Sequence, residues 1–354
     1  MMLAANLLTD VSLSNISIDK LAEIVLHEYY LRYPNSEGIK NPYIRAKSLQ
    51  DYKYHLLYLS EAVTANRPEL YIDYVTWVKL TLSQLGLKNE DIINSFIVLR
   101  EVIQKLLPSN TKVMEEFLNP AIDQLRMSSA ELIGQFSENR ITSELANEYL
   151  QALLRADRKT AGDLIMKQIK EGMKIQDIYL DVFQPALRRV GYLWQMNQVS
   201  VAQEHYVTAA TQTIMSQIYP YIFATSKNGK LFVGTCVGGE LHEVGMRMVA
   251  DFFEMAGWDT IYLGANTPAE GVVRILLEKK ATLLGISATM TFNIHYVRSL
   301  IQQVRNESKL NDVKIIVGGY PFNVSSELWI EVKADGYARS ALEAVSMADS
   351  MIST

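Results

Sequence analysis

The pattern of hydrophobic and polar positions changes character twice along the chain and divides it into three segments. In residues 1–127, apolar residues recur every three or four positions, the spacing of one face of an α-helix, so we predict a helical domain. Ser17 can serve as a helix N-cap, and Pro68 suits a helix start, where its missing N–H would have no partner anyway. The predicted helices cover residues 18–33, 48–63, 68–86, 89–107 and 110–125.

Residues 128–226 are also predicted to be helical. Within them Ile178, Val182, Leu187 and Val190 follow the spacing of an amphipathic helix. The connections between the helical stretches are short, which favours antiparallel packing into a four-helix bundle. The four predicted helices cover residues 142–157, 159–172, 175–194 and 199–219.

Residues 227–354 alternate between short apolar runs and amphipathic helical stretches. This alternation predicts a parallel, doubly wound, Rossmann-like sheet, and ligands of such sheets bind beyond the carboxyl ends of the strands. The predicted strands cover residues 231–237, 260–265, 283–289 and 314–320. The predicted fold class is therefore multi-domain, with two helical domains followed by one α/β domain.

Composition and charge narrow the function classes. The chain has 354 residues, 49% of them hydrophobic, and a net charge of −5, so it can build cores but lacks the basic surface expected for binding nucleic acid or an anionic membrane. The single cysteine, Cys236, excludes an internal disulfide framework and a cysteine-rich metal site. We find neither a secretion signal nor an apolar run long enough to span a membrane, and we expect a cytoplasmic protein.

A histidine motif follows the first predicted strand of the α/β domain. His242 would lie in the loop at the ligand crevice, Glu240 can hydrogen-bond its imidazole, and Gly245 lets a bulky group approach the next helix. After 41 further residues comes Ser287-Ala288-Thr289, and after another 28 comes Gly318-Gly319, each at the end of a predicted strand. Taken singly, these elements are more often a polar loop histidine, a strand-end hydroxyl and a simple turn.

Taken together, the three elements resemble the cobalamin-binding domain family, whose motif is D-x-H-x-x-G, then S-x-L or S-x-T, then G-G. The resemblance implies that His242 replaces the corrinoid's own dimethylbenzimidazole as the lower ligand of cobalt. It implies that Glu240, which stands where the family has aspartate, orients this histidine. The remaining residues of the motif are then expected to line the slot for the displaced nucleotide tail, and these are Gly245, Ser287, Thr289, Gly318 and Gly319.

The four-helix bundle is expected to cap the corrin's upper face. Its Leu-Trp pair followed by VSVAQEH resembles the cap of the CarH-type light-sensing cobalamin regulators more than that of methionine synthase or of corrinoid methyl carriers. The resemblance implies that Trp194, Glu204 and His205 shield or contact the adenosyl group of adenosylcobalamin, whose Co–C bond light breaks. The ordinary alternative is a core tryptophan and a solvated helix start.

Two features depart from the CarH type. Those regulators begin with a basic DNA-binding domain, whereas residues 1–126 carry 13 Lys and Arg against 15 Asp and Glu, so direct DNA binding is not expected. A histidine that can ligate cobalt after photolysis follows the tryptophan in that type, whereas this chain has Gln195. A bis-histidine photoproduct through that position is therefore excluded.

The tyrosine-rich helical domain resembles no family that we can name. Its aromatic residues form either an ordinary helical core or a surface for a protein partner or a homo-oligomer. His27 and His55 are expected to be incidental, and His295 either approaches the corrinoid edge or lies on the surface. The aromatic residues are Tyr29, Tyr30, Tyr33, Tyr52, Tyr54, Tyr58, Tyr71, Tyr74 and Trp77.

The sequence thus predicts a cobalamin-binding sensor, an adenosylcobalamin-dependent photoreceptor that signals to a protein partner through its helical domain. We expect no catalytic residues and no enzyme activity of its own. The alternative is a corrinoid protein that carries methyl groups, as methylcobalamin, between methyltransferases. A third interpretation is a sensor that uses the pocket for another tetrapyrrole. The predicted domains are the helical domain at 1–127, the cobalamin cap at 128–226 and the cobalamin-binding domain at 227–354.

Overall fold

A computed structural model describes residues 16–106, 108, 112–127, 143–223 and 226–352. The chain forms two compact units, Met1–Leu132 and Ile133–Thr354. The domain boundaries predicted after residues 127 and 226 stay predictions. Within the described residues, no helix is both long enough and apolar enough to cross a membrane.

The first unit is helical, as predicted. Ser17 caps α1 by accepting from the amide of Lys20, and Pro68 begins α3. Helix α2 begins at Pro42, six residues earlier than predicted, because the Asn41 side chain caps it and proline is tolerated in the first turn. A π-helical turn, Val113–Leu118, precedes α5. The helices are α1 (Ile18–Arg32), α2 (Pro42–Ala65), α3 (Pro68–Gln84), α4 (Asn89–Leu106) and α5 (Asn119–Arg126).

Several of the tyrosines form the core of the first unit. Tyr58 stacks on Tyr74 with ring centroids 3.7 Å apart, and the Tyr74 hydroxyl lies 2.8 Å from Nδ1 of the buried His55. Burial lowers the pKa of His55 from 6.5 to about 3, so this imidazole is neutral at physiological pH. Tyr54, in contrast, is exposed.

The second unit begins with four helical rods, as predicted. The third rod contains a π-helical turn, Tyr179–Phe183, just before Pro185. Proline lacks the N–H that an α-helix needs, and the wider turn accommodates this loss without ending the rod. Ser200 and Gln203 form a capping box at the start of the fourth rod. The rods are α6 (Glu144–Leu154), α7 (Arg158–Lys170), α8 with α9 (Ile175–Ile178 and Gln184–Gln195) and α10 (Val201–Ile222).

A five-stranded parallel sheet completes the second unit and confirms the predicted fold class. The strand order is β2-β1-β3-β4-β5, and four of the five strands were predicted. The strands are β1 (Leu231–Cys236), β2 (Asp259–Tyr262), β3 (Leu283–Ser287), β4 (Lys314–Gly318) and β5 (Gly336–Tyr337). The helices that follow them are α11 (Val244–Met255), α12 (Ala269–Lys279), α13 (Ile294–Asn306), α14 (Tyr320–Val324), α15 (Leu328–Glu331) and α16 (Ala341–Ile352).

The bundle shares an apolar core with helices α11 and α16 of the sheet domain, and the strands contribute to a second apolar cluster. Helix α11 packs on the sheet with one side and presents Val244, Met248 and Phe252 to the bundle with the other. These three residues join the bundle's own buried side chains, among them Ile178 and Val207. The position of the bundle over the sheet domain is therefore set largely by burial of apolar surface against α11.

Candidate functional site

The predicted site residues of the sheet domain meet at the carboxyl edge of the sheet. Cys236, Ser287 and Gly318 end β1, β3 and β4 and are neighbours in register. The loop that carries Glu240 and His242 leaves β1 at this edge. The strand pairing thus brings together three motif elements that are far apart in the sequence.

The Glu240 carboxylate is a hydrogen-bonding hub rather than only the orienter of the histidine. Its Oε1 lies 2.6 Å from the His242 Nδ1 and accepts from the His242 amide at 3.0 Å. Its Oε2 accepts from the amides of Thr289 at 2.7 Å and Met290 at 3.0 Å, and from the Asn293 side chain at 3.0 Å. One carboxylate therefore ties the histidine loop to the loop after β3.

The charges of this pair follow from the geometry. Burial would raise the pKa of Glu240, whose side chain is 0% exposed, but the hydrogen bonds from His242, Met290 and Thr289 outweigh burial and lower its pKa from 4.5 to about 2. The hydrogen bond to Glu240 raises the pKa of His242 against the opposing effect of burial. An ionised Glu240 accepts a hydrogen bond from Nδ1–H. The neutral imidazole therefore carries its hydrogen on Nδ1 and its free lone pair on Nε2.

The donor set fits a corrinoid better than a free metal ion. In the ranges that the structure describes, no three His, Cys, Asp or Glu side chains are grouped to hold a metal ion. A corrin ring brings its own equatorial nitrogen donors and needs only axial ones from outside. The His242 side chain is 60% exposed, and its Nε2 makes no hydrogen bond to any described residue. It can therefore supply one axial nitrogen.

The residues predicted to line the tail slot have separate structural settings. Ser287 is buried at the end of β3, and Thr289 contributes its backbone amide to Glu240. A Cβ on Gly245 would point into open space, whereas one on Gly318 would lie 3.2 Å from the Ala338 carbonyl oxygen. Gly319 has φ +106°, and a Cβ there would overlap the carbonyl oxygen of Ala288. The close packing of the chain itself therefore already requires glycine at this position.

The three predicted cap residues lie at the end of α9 and the start of α10. Trp194 is 38% exposed, and the His205 side chain is 75% exposed, with its Nδ1 2.6 Å from Glu204 Oε2. Glu204 is near enough to His242 for its charge to contribute to the raised pKa of that histidine. The bundle thus places a carboxylate on the side of the sheet domain where His242 is exposed. Gln195 is buried, with only 8% exposed, and its Nε2 has no hydrogen-bond partner.

Three further residues shape the site and were not predicted. Asn293 donates to Glu240, and the side-chain oxygen of Asn266 accepts from the Gly239 amide at 2.7 Å. The Glu243 carboxylate accepts from the Ala265 amide in the loop after β2. Asn266 has a left-handed backbone with φ 50°, a conformation that asparagine tolerates better than most residues. His295 bonds the Phe292 carbonyl oxygen at 2.7 Å, and burial lowers its pKa.

Comparison with known proteins agrees with this geometry. A family model described as B12 binding domain matches residues 230–346, and a second model with the same description matches residues 145–219. Among similar proteins, a corrinoid protein of Desulfitobacterium hafniense is 27% identical over 214 residues, 59% of this chain and 97% of that protein. Dimethylamine corrinoid protein 1 of Methanosarcina acetivorans is 27% identical over 233 residues, 64% of this chain and 100% of that protein.

Two other matches extend the comparison. Dimethylamine corrinoid protein 3 of Methanosarcina mazei is 30% identical over 139 residues, 39% of this chain and 81% of that protein. The structure of the Methanosarcina barkeri monomethylamine corrinoid protein aligns with a TM-score of 0.53 at 24% identity, over 59% of this chain and 99% of that chain. This structural match supports the same fold.

The prediction of a light-sensing regulator is wrong. Several proteins named as dimethylamine corrinoid proteins match this chain over 96–100% of their length, and the comparisons give no support to the CarH-type resemblance. The expectation of a poorer match to corrinoid methyl carriers fails with it. It relied only on the short segment from Leu193 to His205, whereas matches to corrinoid proteins extend over 214 and 233 residues. The chain belongs to the corrinoid protein family and contains B12-binding domains.

Proposed function

We propose that this protein is a corrinoid methyl carrier that shuttles methyl groups between partner methyltransferases. The observation that carries the proposal is the similarity to dimethylamine corrinoid proteins over 96–100% of the length of several of them. The bound cobalamin would supply a cobalt centre that accepts and gives up the methyl group. The chain itself would bind, orient and shield this centre, and its partners would catalyse the transfers.

His242 is the proposed lower axial ligand of cobalt, through Nε2. Its support is the exposed Nε2 beside an Nδ1 that Glu240 already binds at 2.6 Å. An ionised Glu240 keeps the imidazole in the required tautomer and strengthens Nε2 as a donor. The proposed tail slot is formed by residues at the same edge of the sheet, namely Gly245, Ser287, Thr289, Gly318 and Gly319.

The proposed upper face is formed by Trp194, Glu204 and His205. A methyl group is small, so the tryptophan would mainly exclude water from the cobalt–carbon bond. The Glu204–His205 pair offers polar atoms that could also suit a larger upper ligand. Methylcobalamin is therefore the proposed working form, and adenosylcobalamin remains the alternative that a ligand analysis distinguishes.

The first unit is proposed to bind a protein partner or a second copy of the chain. Leu31, Ile39 and Tyr43 are large apolar side chains that it exposes, and such side chains are typical of interfaces. Its slight excess of acidic residues argues against DNA as the partner.

The proposal is tested with the full-length protein loaded with hydroxocobalamin. The cobalt is reduced, methylated with methyl iodide and mixed with a methylcobalamin:thiol methyltransferase and a thiol. We expect a stable methylcobalamin spectrum and methyl transfer faster than from the same concentration of free methylcobalamin. A bound cobalamin that cannot be methylated, or that transfers no faster than free cofactor, would overturn the proposal.

The ligand assignment has its own test. In protein labelled with 15N-histidine, we expect the cobalt(II) electron paramagnetic resonance spectrum to show the splitting of a 15N ligand. His242→Ala should lose this splitting, because the corrinoid's own dimethylbenzimidazole, which can then bind cobalt, carries 14N, while Glu204→Gln should keep it. An unchanged spectrum in His242→Ala would reject this residue as the ligand. Mass spectrometry of the pigment extracted after native expression checks the cofactor class, and a tetrapyrrole other than a corrinoid would reject the carrier function.

A further inference from the structure

A row of polar contacts joins cap helix α10 to helix α11 of the sheet domain. At one end Gln212 donates to Glu243 Oε1 at 3.0 Å. One turn further along both helices, Arg247 donates to Ser216 Oγ at 2.8 Å and to the Tyr219 hydroxyl at 3.2 Å. Because Gln212, Ser216 and Tyr219 are spaced four and three residues apart, they lie on one face of α10.

The far end of the row is anchored by a buried carboxylate. Asp251 accepts from the Tyr179 hydroxyl at 2.7 Å, and Tyr219 also hydrogen-bonds it. Asp251 follows Glu243 by eight residues, which is about 12 Å along a helix at its usual rise. The two ends of the row are thus well separated, and only the end at Glu243 adjoins the histidine loop.

Glu243 connects three parts of the second unit through one carboxylate. Its Oε1 binds the cap through Gln212, and its Oε2 accepts from the Tyr262 hydroxyl at 3.0 Å and from the Ala265 amide at 3.1 Å. Glu243 directly follows His242, so the contacts that hold its carboxylate restrain the same backbone segment that carries the histidine.

We propose that Glu243 is a positioning residue that couples the place of the cap to the orientation of His242, with Gln212 as its contact on the cap. The inference rests on the proposed function, because it takes His242 as the cobalt ligand. It assigns to Glu243 a role separate from that of Glu240, which touches the imidazole itself.

The coupling follows from what methyl transfer demands. A partner must reach the upper face of the corrin, where the proposed shield includes Glu204. Glu204 and Gln212 lie on the same helix, eight residues apart, so α10 cannot move away from the upper face without stretching the contact between Gln212 and Glu243. Once that donor leaves, the contacts that remain to the Glu243 carboxylate among the described residues are those from Tyr262, at the end of β2, and from Ala265, in the loop after it. The histidine loop therefore loses its hydrogen bond to the cap when the upper face opens.

The test compares two cap variants at opposite ends of the row in the full-length cobalamin-loaded protein. Gln212→Ala removes the contact to Glu243. Tyr219→Phe is the matched control, because it removes a hydroxyl from the distant end and leaves the ring in place. The measurement, in protein labelled with 15N-histidine, is the fraction of cobalt(II) that carries the 15N splitting of a histidine ligand. We expect Gln212→Ala to shift the ligation equilibrium about fivefold away from histidine binding, which is the effect of one ordinary hydrogen bond. Tyr219→Phe should leave the equilibrium unchanged.

A second readout does not need the cofactor. In the cofactor-free protein, the nuclear magnetic resonance signals of the His242 ring should shift in Gln212→Ala and stay in place in Tyr219→Phe. Gln212→Lys restores a donor to Glu243 and should recover the wild-type signals and ligation, which a general loosening of the cap would not do.

The outcomes separate this inference from the proposed function. A wild-type protein without the histidine splitting rejects the ligand assignment. A wild-type protein with the splitting, together with an unchanged Gln212→Ala, overturns the coupling alone. Equal shifts in Gln212→Ala and Tyr219→Phe also overturn it, because they mean that any weakening of cap docking has the same effect.

Discussion

Replacing Glu240 by glutamine tests whether this carboxylate holds the site together. The two side chains have nearly the same shape, and Glu240 is fully buried, so the change removes the charge without opening a cavity. Each carboxylate oxygen accepts from at least one backbone amide, that of His242 on one side and those of Thr289 and Met290 on the other. In either orientation, the new amide group would therefore point its hydrogens at a backbone N–H.

The expected loss can be worked out in two ways. The pKa of Glu240 falls from 4.5 to about 2 on folding. At 1.36 kcal/mol for each pKa unit, this gives about 3 kcal/mol of stability from the ionised form at neutral pH. Leaving one or two buried amides without an acceptor costs about 1–3 kcal/mol each, which leads to a similar total. We therefore expect Glu240→Gln to lower the free energy of unfolding of the second unit by about 3 kcal/mol.

The assay is urea unfolding followed by tryptophan fluorescence in a Trp77→Phe background. The three remaining tryptophans, Trp194, Trp258 and Trp329, all lie in the second unit. Because the folded-state pKa is lowered, the stabilisation is present above pH 4.5 and is lost as the pH falls toward 2. The difference between wild type and variant should therefore shrink over that range. A difference below 1 kcal/mol at pH 7, or one independent of pH, would refute the reasoning.

Three other predictions follow from single residues. Burial raises the pKa of Asp251 from 3.8 to about 6, so stability falls as the pH rises through that window; Asp251→Asn should gain up to about 3 kcal/mol at pH 7 in urea unfolding, and no gain would contradict this. Burial lowers the pKa of His55 to about 3, so the first unit should lose up to about 5 kcal/mol between pH 6.5 and 3; His55→Phe should unfold with a flatter pH dependence. Gly319→Ala should cost about 3 kcal/mol or more, because its Cβ would overlap the Ala288 carbonyl oxygen, and a thermal midpoint equal to that of wild type would contradict this.

Local signals were sufficient for most of the fold. Ser17 and Pro68 mark helix starts through interactions within a few residues, and β1, β3 and β4 are apolar runs typical of buried parallel strands. Strand β5 was missed because its two residues, Gly336 and Tyr337, are too few to make a pattern. Its pairing with β4 depends on the rest of the sheet rather than on its own sequence.

The site also contains local contacts that the sequence predicts and long-range contacts that it does not. The contact of Glu240 with His242 spans two residues and could be predicted from the motif. The contacts of Glu240 with Met290 and Asn293 span 50 and 53 residues and exist only because β1 pairs with β3. The wrong prediction of a photoreceptor has a physical reason as well, since it relied on Trp194 and His205, whose exposed fractions are 38% and 75%. Exposed side chains at a helix end are compatible with more than one upper ligand.

The core shared by the bundle and the sheet domain limits how these parts can be exchanged between proteins. The two B12-binding matches, residues 145–219 and 230–346, are separate stretches of sequence. Transplanting the sheet domain alone would nevertheless bare Val244, Met248 and Phe252 to water, at about 1.5–3 kcal/mol for each side chain. Recombination that keeps the pair together avoids this cost. The smallest transferable module of this protein is therefore the bundle and the sheet domain as one piece.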